Sequence, residues 1–456
     1  MDDQDYPRRA GATFRGIIND LKRNTEAAAA ELDVPVATIE RIVAGEQDMP
    51  PELLRRAVRS WPVNERDFHP VHDDAPLGVV ICRAADSAGS SRLISRGGAD
   101  YYEYRDTAMS RLAAFRPEWI RMLVPVADAD PANPAVQWNN GHFLYQFTYF
   151  VGEVNYYYEW QGQRHCIPTG TGDSVCGLPY APHSFTRRAD GSGLILALTY
   201  GGRLLGDAQH ELGALGAETA ARYAPGDRAG FAEILRERLA DSMLTADRLA
   251  DAAGMPRSRV AELLGGKEPG EAETAALAAG LGVGVRDLLP VERDERDGIC
   301  FQRAEDAPVW DWPGPEPSGR SSPAYRLRGL AGTRLCPDTR AFELTALGRD
   351  PASALTDSGL HEYCFVLGPD PVRLHWRSGA GEHDALLEPG DSLYVKPFVS
   401  HAFTRVGGGG SPVLVLRIGG KVAGDTRREA AALGAACLRR LAHDPTQWYD
   451  PTGGPR

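Results

Sequence analysis

The chain lacks the features that would place it in an oxidising compartment or a membrane. Its seven cysteines are odd in number and scattered, and no CxxC pair occurs. This spacing argues against a disulfide scaffold or a structural zinc site and favours a reducing cytoplasm. The first residues, MDDQDYPRR, are polar and acidic, so we expect no signal peptide. No run approaches about 18 apolar residues, so no segment should span a membrane.

A surplus of positive charge is also missing. The sequence has 50 Lys and Arg against 62 Asp and Glu, a formal net charge of −12. Because nucleic-acid binding depends on cations that neutralise phosphates, this balance lowers the expectation of such a partner without excluding a local basic patch. A length of 456 residues predicts about two to four packed units.

The sequence repeats itself. The segments AAAAELDVPVATIERIVAGE and DRLADAAGMPRSRVAELLGGKE both read as a helix, a turn with proline, and a second helix closed by glycine. Pro35 and Pro256 are 221 residues apart. A second pair of segments, GDSVCGLPYAPHSFTR and GDSLYVKPFVSHAFTR, recurs at an offset of 218 and aligns His183 with His401. Two independent blocks at nearly the same offset indicate a duplicated chain.

Each repeat begins with helical patterns and continues in short strands. The strands are rich in aromatic and β-branched residues, as in FLYQFTYFVG and NYYYEW, or EYCFVLG and PVLVLRI. The predicted fold class is α+β, with two repeats that are each an all-α helix-turn-helix unit followed by an antiparallel β-barrel. The predicted domains are 1–70 and 226–292 for the helix-turn-helix units, and 71–225 and 293–456 for the barrels.

Histidine placement in the first repeat suggests a metal site. His142 and Gln146 are four residues apart on a predicted strand, so both should point to one face. His183 follows 41 residues later, after a turn that contains Pro179 and Pro182. This is the general layout of metal sites in cupin barrels. Two His ligands and a third group leave one face of an octahedral metal open for substrate and oxygen, and such sites suit Fe(II). The usual third ligand is a carboxylate, whereas here it would be the neutral amide of Gln146.

A plainer interpretation also fits each residue alone. A single histidine on a barrel strand is more often packed than ligating, and Gln146 could be a satisfied interior amide. The combination with the proline hairpin favours the metal site. The second repeat places Ser358 and Glu362 where His142 and Gln146 stand, with His401 retained. A lone Glu–His pair is a poor iron site, so we predict that the second barrel is degenerate.

These motifs together resemble the family of 2-hydroxyethylphosphonate dioxygenase and methylphosphonate synthase, which are tandem helix-turn-helix/cupin enzymes. The resemblance covers essentially the whole chain. It implies that Lys22, Arg96, Tyr104 and Asn139 bind a phosphonate, with His183 adding a hydrogen bond through its other ring nitrogen. Lys, Arg and hydroxyl groups suit the oxygens of a dianion.

The second repeat lacks these anion-binding groups. The offset of 221 places Met243 opposite Lys22 and Pro317 opposite Arg96. The groups for the phosphonate are therefore missing where the metal ligands are missing.

The resemblance also bears on the product. Family dioxygenases carry a Glu six residues before the second His, where this chain has Gly177. The synthases carry a Gln four residues after the first His, followed by Phe, as in Gln146 and Phe147. This favours methylphosphonate with carbon dioxide or bicarbonate over hydroxymethylphosphonate with formate. This chain departs from the synthase pattern at one position, because the synthases carry a bulky apolar residue where Gly177 stands.

The implied cofactor is Fe(II), with O2 as co-substrate. The substrate supplies all the electrons, so no 2-oxoglutarate is expected. A rival from another class is a helix-turn-helix/cupin transcription regulator, but the first recognition segment, VATIERIVAGEQ, offers little for the major groove. A third interpretation is a metal-dependent isomerase or another cupin oxygenase. We expect a cytoplasmic enzyme that binds neither nucleic acid nor membrane, and the sequence is compatible with a homo-oligomer.

Overall fold

The computed structural model describes residues 3–188, 191–224, 230–313, 322–379, 381–408, 410–444 and 446–449. The chain divides into two compact units. The first unit comprises Met1–Gly201, Arg296–Gly332 and Cys336–Arg456, and the second comprises Gly202–Glu295 and Thr333–Leu335. Across the described ranges, no helix is both long and apolar enough to cross a bilayer.

The first unit opens with a small helical bundle. Phe14, Ile18, Ile39 and Leu53 are buried together in its core, in keeping with the apolar spacing of the sequence. The side chain of Asn24 caps the second helix by accepting a hydrogen bond from a backbone amide. The helices are α1 (Tyr6–Asp20), α2 (Thr25–Glu31), α3 (Val36–Val43) and α4 (Pro51–Ser60), followed by a 3-10 turn at Glu65–Phe68.

Short strands follow the bundle, as the aromatic and β-branched segments predict. The first of them precedes a short helix, α5 (Ala84–Gly89). The strands are β1 (Val79–Cys82), β2 (Arg92–Arg96), β3 (Ala99–Asp106), β4 (Phe115–Met122), β5 (Tyr145–Gly152), β6 (Val154–Trp160), β7 (Gln163–Thr169), β8 (Ser174–Gly177), β9 (His183–Arg187) and β10 (Gly193–Tyr200).

The second unit is helical. Leu235, Leu249, Val260 and Leu277 form its buried core. The side chain of Thr245 caps α9 at the position that Asn24 holds on α2. The helices are α6 (Asp207–Leu215), α7 (Ala217–Ala221), α8 (Phe231–Asp241), α9 (Ala246–Ala253), α10 (Arg257–Leu264) and α11 (Glu271–Leu281), followed by a 3-10 turn at Val285–Leu288.

The remaining part of the first unit repeats the strand pattern, includes a short 3-10 turn at Pro351–Ser353 and ends in a helix. The elements are β11 (Ile299–Gln302), β12 (Val309–Trp312), β13 (Tyr325–Gly329), β14 (Arg340–Ala346), β15 (His361–Val366), β16 (Val372–Ser378), β17 (Gly381–Leu387), β18 (Ser392–Val395), β19 (His401–Arg405), β20 (Pro412–Ile418) and α12 (Asp425–Ala442).

The strands form two pairs of antiparallel sheets. One pair has the orders β11-β8-β5-β10-β4-β3-β2 and β7-β6-β9, and the other has β1-β18-β15-β20-β14-β13-β12 and β17-β16-β19. In each pair, the large and the small sheet share one hydrophobic core. The mixed α/β class with antiparallel sheets is confirmed. Among the described strands the sheets are open layers in which no order closes on itself.

The two strand regions exchange their first strands. β1 pairs with β18 of the later region, and β11 pairs with β8 of the earlier one. Matching side-chain contacts secure both exchanges: Arg83 binds the carboxylate of Asp391, and Arg303 binds that of Asp173, each at 2.7 Å. The duplication inferred from the sequence therefore has a reciprocal structural counterpart.

Candidate metal centre

His142 lies in the loop that precedes β5. The expectation that His142 shares a strand with Gln146 is wrong, because β5 begins at Tyr145. Gly141, with a φ of +71°, turns the chain just before the histidine. The Nδ1 atom of His142 lies 2.9 Å from the carbonyl oxygen of Leu144, which orients the ring. The two side chains nevertheless converge, because the loop brings the ring back over the start of β5.

The amide of Gln146 is held in one orientation. Its Nε2 donates to the hydroxyl of Thr148 at 2.9 Å, so that Oε1 points to His142. Oε1 lies 3.0 Å from Nε2 of His142. With Nδ1 of that imidazole held at the carbonyl of Leu144, Nε2 of His142 and Oε1 of Gln146 are directed at each other, so that one ion could contact both atoms.

His183 begins β9 and completes the cluster. Its ring centroid lies 5.3 Å from that of His142, and the rings are nearly perpendicular. Burial lowers the pKa of His183 to about 4, and the charges of His142 and Arg96 act in the same direction. Its Nδ1 lies 2.9 Å from the carbonyl oxygen of Ala181, so the neutral ring directs the lone pair of Nε2 into the site.

Asn139 links the two histidine loops. Its Oδ1 accepts hydrogen bonds from the backbone amides of His183 at 2.8 Å and Gly141 at 3.0 Å. Its Nδ2 lies 2.9 Å from Nε2 of His183. Asn139 is therefore at the site, as the sequence predicted. The other nitrogen of His183 is engaged by a carbonyl, so only Nε2 of that ring faces the site.

Arg96 and Tyr104 border the same cluster. The guanidinium of Arg96 lies 4.9 Å from the ring centre of Tyr102 and donates to the carbonyl of Gln137 at 3.2 Å. Burial raises the pKa of Tyr104, whereas the nearby Arg96 acts to lower it. Since Arg96 acts on both His183 and Tyr104, the structure brings these predicted anion-binding groups together.

Lys22 makes its contacts elsewhere. Its Nζ lies 3.4 Å from the carbonyl oxygen of Asn19 and 5.8 Å from the ring centre of Trp448. Within the described ranges, no hydrogen bond or ion pair joins Lys22 to His142 or His183. The direct contacts of Lys22 are therefore with Asn19 and Trp448.

The two residues predicted to influence the product lie on different faces of the sheet. Gly177 lies directly opposite Gln146, and a Cβ there would first meet Tyr156 Oη at 3.8 Å, which is ordinary contact. A side chain would therefore fit at position 177. Phe147 is buried in the core on the other face of β5, packed with Cys176. Its ring is directed away from the amide of Gln146.

Two further residues belong to the site and were missed from sequence. Thr148 orients the Gln146 amide, and the period-two alternation of β5 was the signal that could have found it. Glu118 lies on β4; burial raises its pKa, while Arg92 and His142 act to lower it. Only the pairing of β4, β10 and β5 brings this carboxylate near the cluster.

The corresponding centre in the later strand region is closed by an ion network. The carboxylate of Glu362 lies 2.8 Å from Nε2 of His401 and also binds Arg417. Although burial acts to lower it, Glu362 raises the pKa of His401. Met243 is 93% exposed, and Pro317 lies outside the described residues. This region holds its charges in mutual pairs rather than in an open donor set.

The residues that could hold a metal are therefore His142, Gln146 and His183. Among the described residues, no group of three or more His, Cys, Asp or Glu side chains is placed to hold a metal ion, so this set depends on the amide oxygen as its third donor. Two imidazole nitrogens and an amide oxygen suit a divalent first-row ion. The 3.0 Å distance between His142 Nε2 and Gln146 Oε1 is the observation that fits a cation, since two ligands in cis about 2.1 Å from a metal are roughly 3 Å apart.

Comparisons with known proteins agree with a class of phosphonate-processing metalloenzymes, although no family model matches the chain. The chain is 40% identical over 455 residues to methylphosphonate synthase of Nitrosopumilus maritimus, covering 98% of this chain and 97% of that one. It is 25% identical over 406 residues to 2-hydroxyethylphosphonate dioxygenase of Streptomyces viridochromogenes, covering 85% and 87%.

A solved structure adds a similar result. The Streptomyces albus dioxygenase HEPD, solved with 2-hydroxyethylphosphonate and Fe(II) bound, aligns with a TM-score of 0.92 and 43% identity, covering 98% of this chain and 100% of that one. The chain belongs to the methylphosphonate synthase and 2-hydroxyethylphosphonate dioxygenase family, which confirms the resemblance recognised in its sequence.

Proposed function

We propose that this chain is an iron-dependent enzyme that uses O2 to cleave the C–C bond of 2-hydroxyethylphosphonate, with methylphosphonate as the product. The observation that supports this proposal most directly is the orientation of Gln146, whose Oε1 lies 3.0 Å from Nε2 of His142. The position opposite Gln146 is Gly177, which has no carboxylate to offer. The full-length similarity to a methylphosphonate synthase supports the same product.

The proposed metal ligands are His142, Gln146 and His183. Bound Fe(II) would supply the activation of O2 for the oxidation. Each imidazole is held by a backbone carbonyl at its Nδ1, which directs Nε2 into the site. A metal at Nε2 of His183 would take the place of the contact with Asn139 Nδ2. A neutral amide in place of a carboxylate leaves the centre with one more unit of positive charge. The centre should therefore bind a hydroxyl oxygen and a phosphonate oxygen more strongly.

The proposed substrate contacts are Arg96, Tyr104 and Asn139, with Lys22 as a further cation. Arg96 provides a planar set of donors for phosphonate oxygens. Burial keeps the Tyr104 hydroxyl protonated, and it can therefore donate a hydrogen bond. Asn139 has its Nδ2 directed into the site beside His183. These groups would fix the phosphonate and leave the carbon chain directed at the metal.

The finer architecture is part of the proposal. We interpret residues 1–70 and 226–292 as helix-turn-helix units, and 71–225 and 293–456 as cupin domains, of which the second is degenerate. In both helical regions a proline occupies the N-cap position of the second helix of the pair, namely Pro35 before α3 and Pro256 before α10. We further propose a cytoplasmic location, supported by seven cysteines that all lie within the described ranges and form no disulfide. The net charge of −12 supports the further proposal that the chain binds no nucleic acid.

The second candidate is a 2-hydroxyethylphosphonate dioxygenase that forms hydroxymethylphosphonate and formate. The 43% identity to the Streptomyces albus HEPD favours it. Both outcomes balance with one O2 per substrate. The synthase outcome gives methylphosphonate with carbon dioxide and water, or equivalently bicarbonate, so the products alone separate the two.

The test is a phosphorus NMR assay of the anaerobically purified, Fe(II)-loaded protein with 2-hydroxyethylphosphonate and O2. A methylphosphonate signal supports the proposal, and hydroxymethylphosphonate supports the second candidate. Unchanged substrate would overturn both and make DNA binding the next measurement.

Two variants at one position sharpen this assay. Gly177→Glu should shift the product towards hydroxymethylphosphonate, because it places a carboxylate opposite Gln146. Gly177→Val, which copies Val395 at the matching place in the later region, should keep methylphosphonate. If both variants gave the same product ratio, position 177 would not influence the product.

A further inference from the structure

The end of the chain docks on the turn that carries Lys22. Lys22 lies between α1 and α2 with a φ of +57°, in the left-handed region. Residues 446–449 contact this turn through hydrogen bonds and a cation–π interaction, all within the first unit. We call residues 446–449 the tail clamp. Such a specific contact between the two ends of a chain needs a reason, because it orders residues that would otherwise keep their conformational freedom.

The side chain of Asn19 pairs with the backbone of the tail clamp on both sides. Its Nδ2 donates to the carbonyl of Thr446 at 2.9 Å, and its Oδ1 accepts from the amide of Trp448 at 3.0 Å. This is the pattern by which one strand pairs with another. The indole Nε1 of Trp448 donates to the carbonyl of Arg23 at 3.0 Å. Asn19 and Trp448 thus fix the clamp on both sides of Lys22.

The ring of Trp448 is the contact that reaches the lysine itself. Its centre lies 5.8 Å from Nζ of Lys22, within the range of a cation–π interaction. The Thr25 hydroxyl also donates to Oε1 of Gln447 at 3.2 Å, which adds a contact on the α2 side. Lys22 is otherwise exposed, and among the described residues its one hydrogen bond is a long one to the carbonyl of Asn19, so Trp448 limits its direction.

The second helical unit provides an internal comparison. Its turn has the same backbone conformation, since Met243 has a φ of +50°. Met243 is 93% exposed, so no ring covers it. At the offset of 221, Asn19 corresponds to Ala240 and Thr25 to Ala246. The residues that hold the tail clamp are therefore absent from the repeat that lacks the lysine.

We infer that Trp448 is a positioning residue for Lys22, with the tail clamp holding the ammonium group in the direction in which it meets the phosphonate of the substrate. This rests on the proposed function for the identity of the ligand. The contact between the tail clamp and Lys22 can be tested without any substrate.

The first measurement is the acetylation rate of Lys22 by trace acetic anhydride, followed by peptide mass spectrometry on the full-length protein. The chain has four lysines, and the exposed Lys267 serves as the internal reference. Trp448→Leu should raise the relative rate at Lys22 by about two- to fivefold, because an exposed cation–π contact favours the protonated amine. Trp448→Phe keeps a ring face and should restore most of the wild-type rate.

The second measurement is turnover of 2-hydroxyethylphosphonate by the Fe(II)-loaded protein. Trp448→Leu should raise KM by about two- to fivefold and leave kcat within about twofold, since the lysine contributes binding rather than chemistry. Trp310→Leu is the matched control, because Trp310 is 42% exposed and Trp448 is 47% exposed. The control should change neither KM nor the acetylation rate.

The outcomes test the contact between Trp448 and Lys22 separately from its role in substrate binding. An unchanged acetylation rate in Trp448→Leu would overturn the clamp itself. A raised rate with an unchanged KM would overturn the positioning role. Failure of the wild-type protein to convert or bind the phosphonate would overturn the ligand of Lys22 together with the proposed function, and the acetylation result would still decide whether the contact exists.

Discussion

The two strand regions build different centres on the same pairings. In the earlier region, β5 places Gln146 opposite Gly177 on β8. In the later region, β15 places Glu362 opposite Val395 on β18. The first arrangement leaves a neutral amide oxygen beside an open space. The second puts a carboxylate in that place and fills the space with an apolar side chain.

The partner across the sheet completes the difference. Arg417 lies opposite Glu362 on β20, whereas Thr199 lies opposite Gln146 on β10. A guanidinium and an imidazole therefore balance the charge of Glu362 from within the protein. Among the described residues of the earlier region, no arginine bonds to Gln146, whose Oε1 instead lies 3.0 Å from Nε2 of His142. One copy balances a carboxylate internally, and the other keeps a neutral set of donor atoms that a cation could bind.

The sharpest contrast is between the two aligned histidines. His183→Ala should abolish turnover and reduce bound iron by more than the roughly 10- to 100-fold that loss of an outer-shell partner costs. His401→Ala should leave iron content near the wild-type value, because both ring nitrogens of His401 are engaged within the protein, by Glu362 and by the carbonyl of Val399. Iron analysis after anaerobic loading tests both variants. Equal iron loss in the two would contradict the assignment of a single metal centre.

Removing the charge of Glu362 should destabilise the protein without affecting catalysis. The carboxylate is almost fully buried between His401 and Arg417. Glu362→Gln leaves the guanidinium without its partner, and the breaking of a buried pair costs about 3–5 kcal/mol. Urea unfolding measures this loss. The expected kcat per bound iron is that of the wild type, and a fall in kcat would mean that the later region takes part in the reaction.

The supporting residue of the metal centre should have a smaller effect. Thr148→Val removes the hydroxyl that orients the Gln146 amide, so iron affinity should fall about 10- to 100-fold. The matching position in the later region is Cys364, whose thiol contacts Glu362. Cys364→Val is the control and should not change iron affinity. An unchanged affinity in Thr148→Val would argue that Gln146 does not bind the metal through Oε1.

The smallest effect is the pH dependence of the ion network. Burial acts to raise the pKa of Glu362, but His401 and Arg417 lower it below its ordinary value near 4.5. Its contribution to stability is therefore present above about pH 4.5 and is lost as pH falls towards the depressed pKa. Glu362 raises the pKa of His401, so the contribution of His401 to stability is present below about pH 6.5 and is lost as the pH rises through the raised pKa.

The contribution of this network to the melting temperature, measured between pH 4 and 9, should therefore be largest at about pH 5 to 6. Glu362→Gln should flatten the profile, because it removes the partner that shifts His401. A profile identical to that of the wild type would mean that another group governs the pH dependence.

The sequence predicted the elements better than their partners. The segments around β5, β6, β15 and β20 were recognised because alternation and β-branched residues are local signals. The exchange of β1 and β11 between the two strand regions was not predicted, since pairing between residues more than about 100 positions apart leaves no local pattern. The approach of Glu118 to His142 was also missed, because it depends on the pairing of β4, β10 and β5.

The sequence by itself determined the repeated segments and predicted both the set formed by His142, Gln146 and His183 and its loss in the later copy, because residue identity and spacing are properties of the chain. Only the tertiary structure decided how the set is assembled. It moved His142 off the strand into a loop, closed the later centre with Arg417, and placed Trp448 against Lys22 from the far end of the chain. Contacts of this kind arise from packing between distant segments, which no local pattern in the sequence encodes.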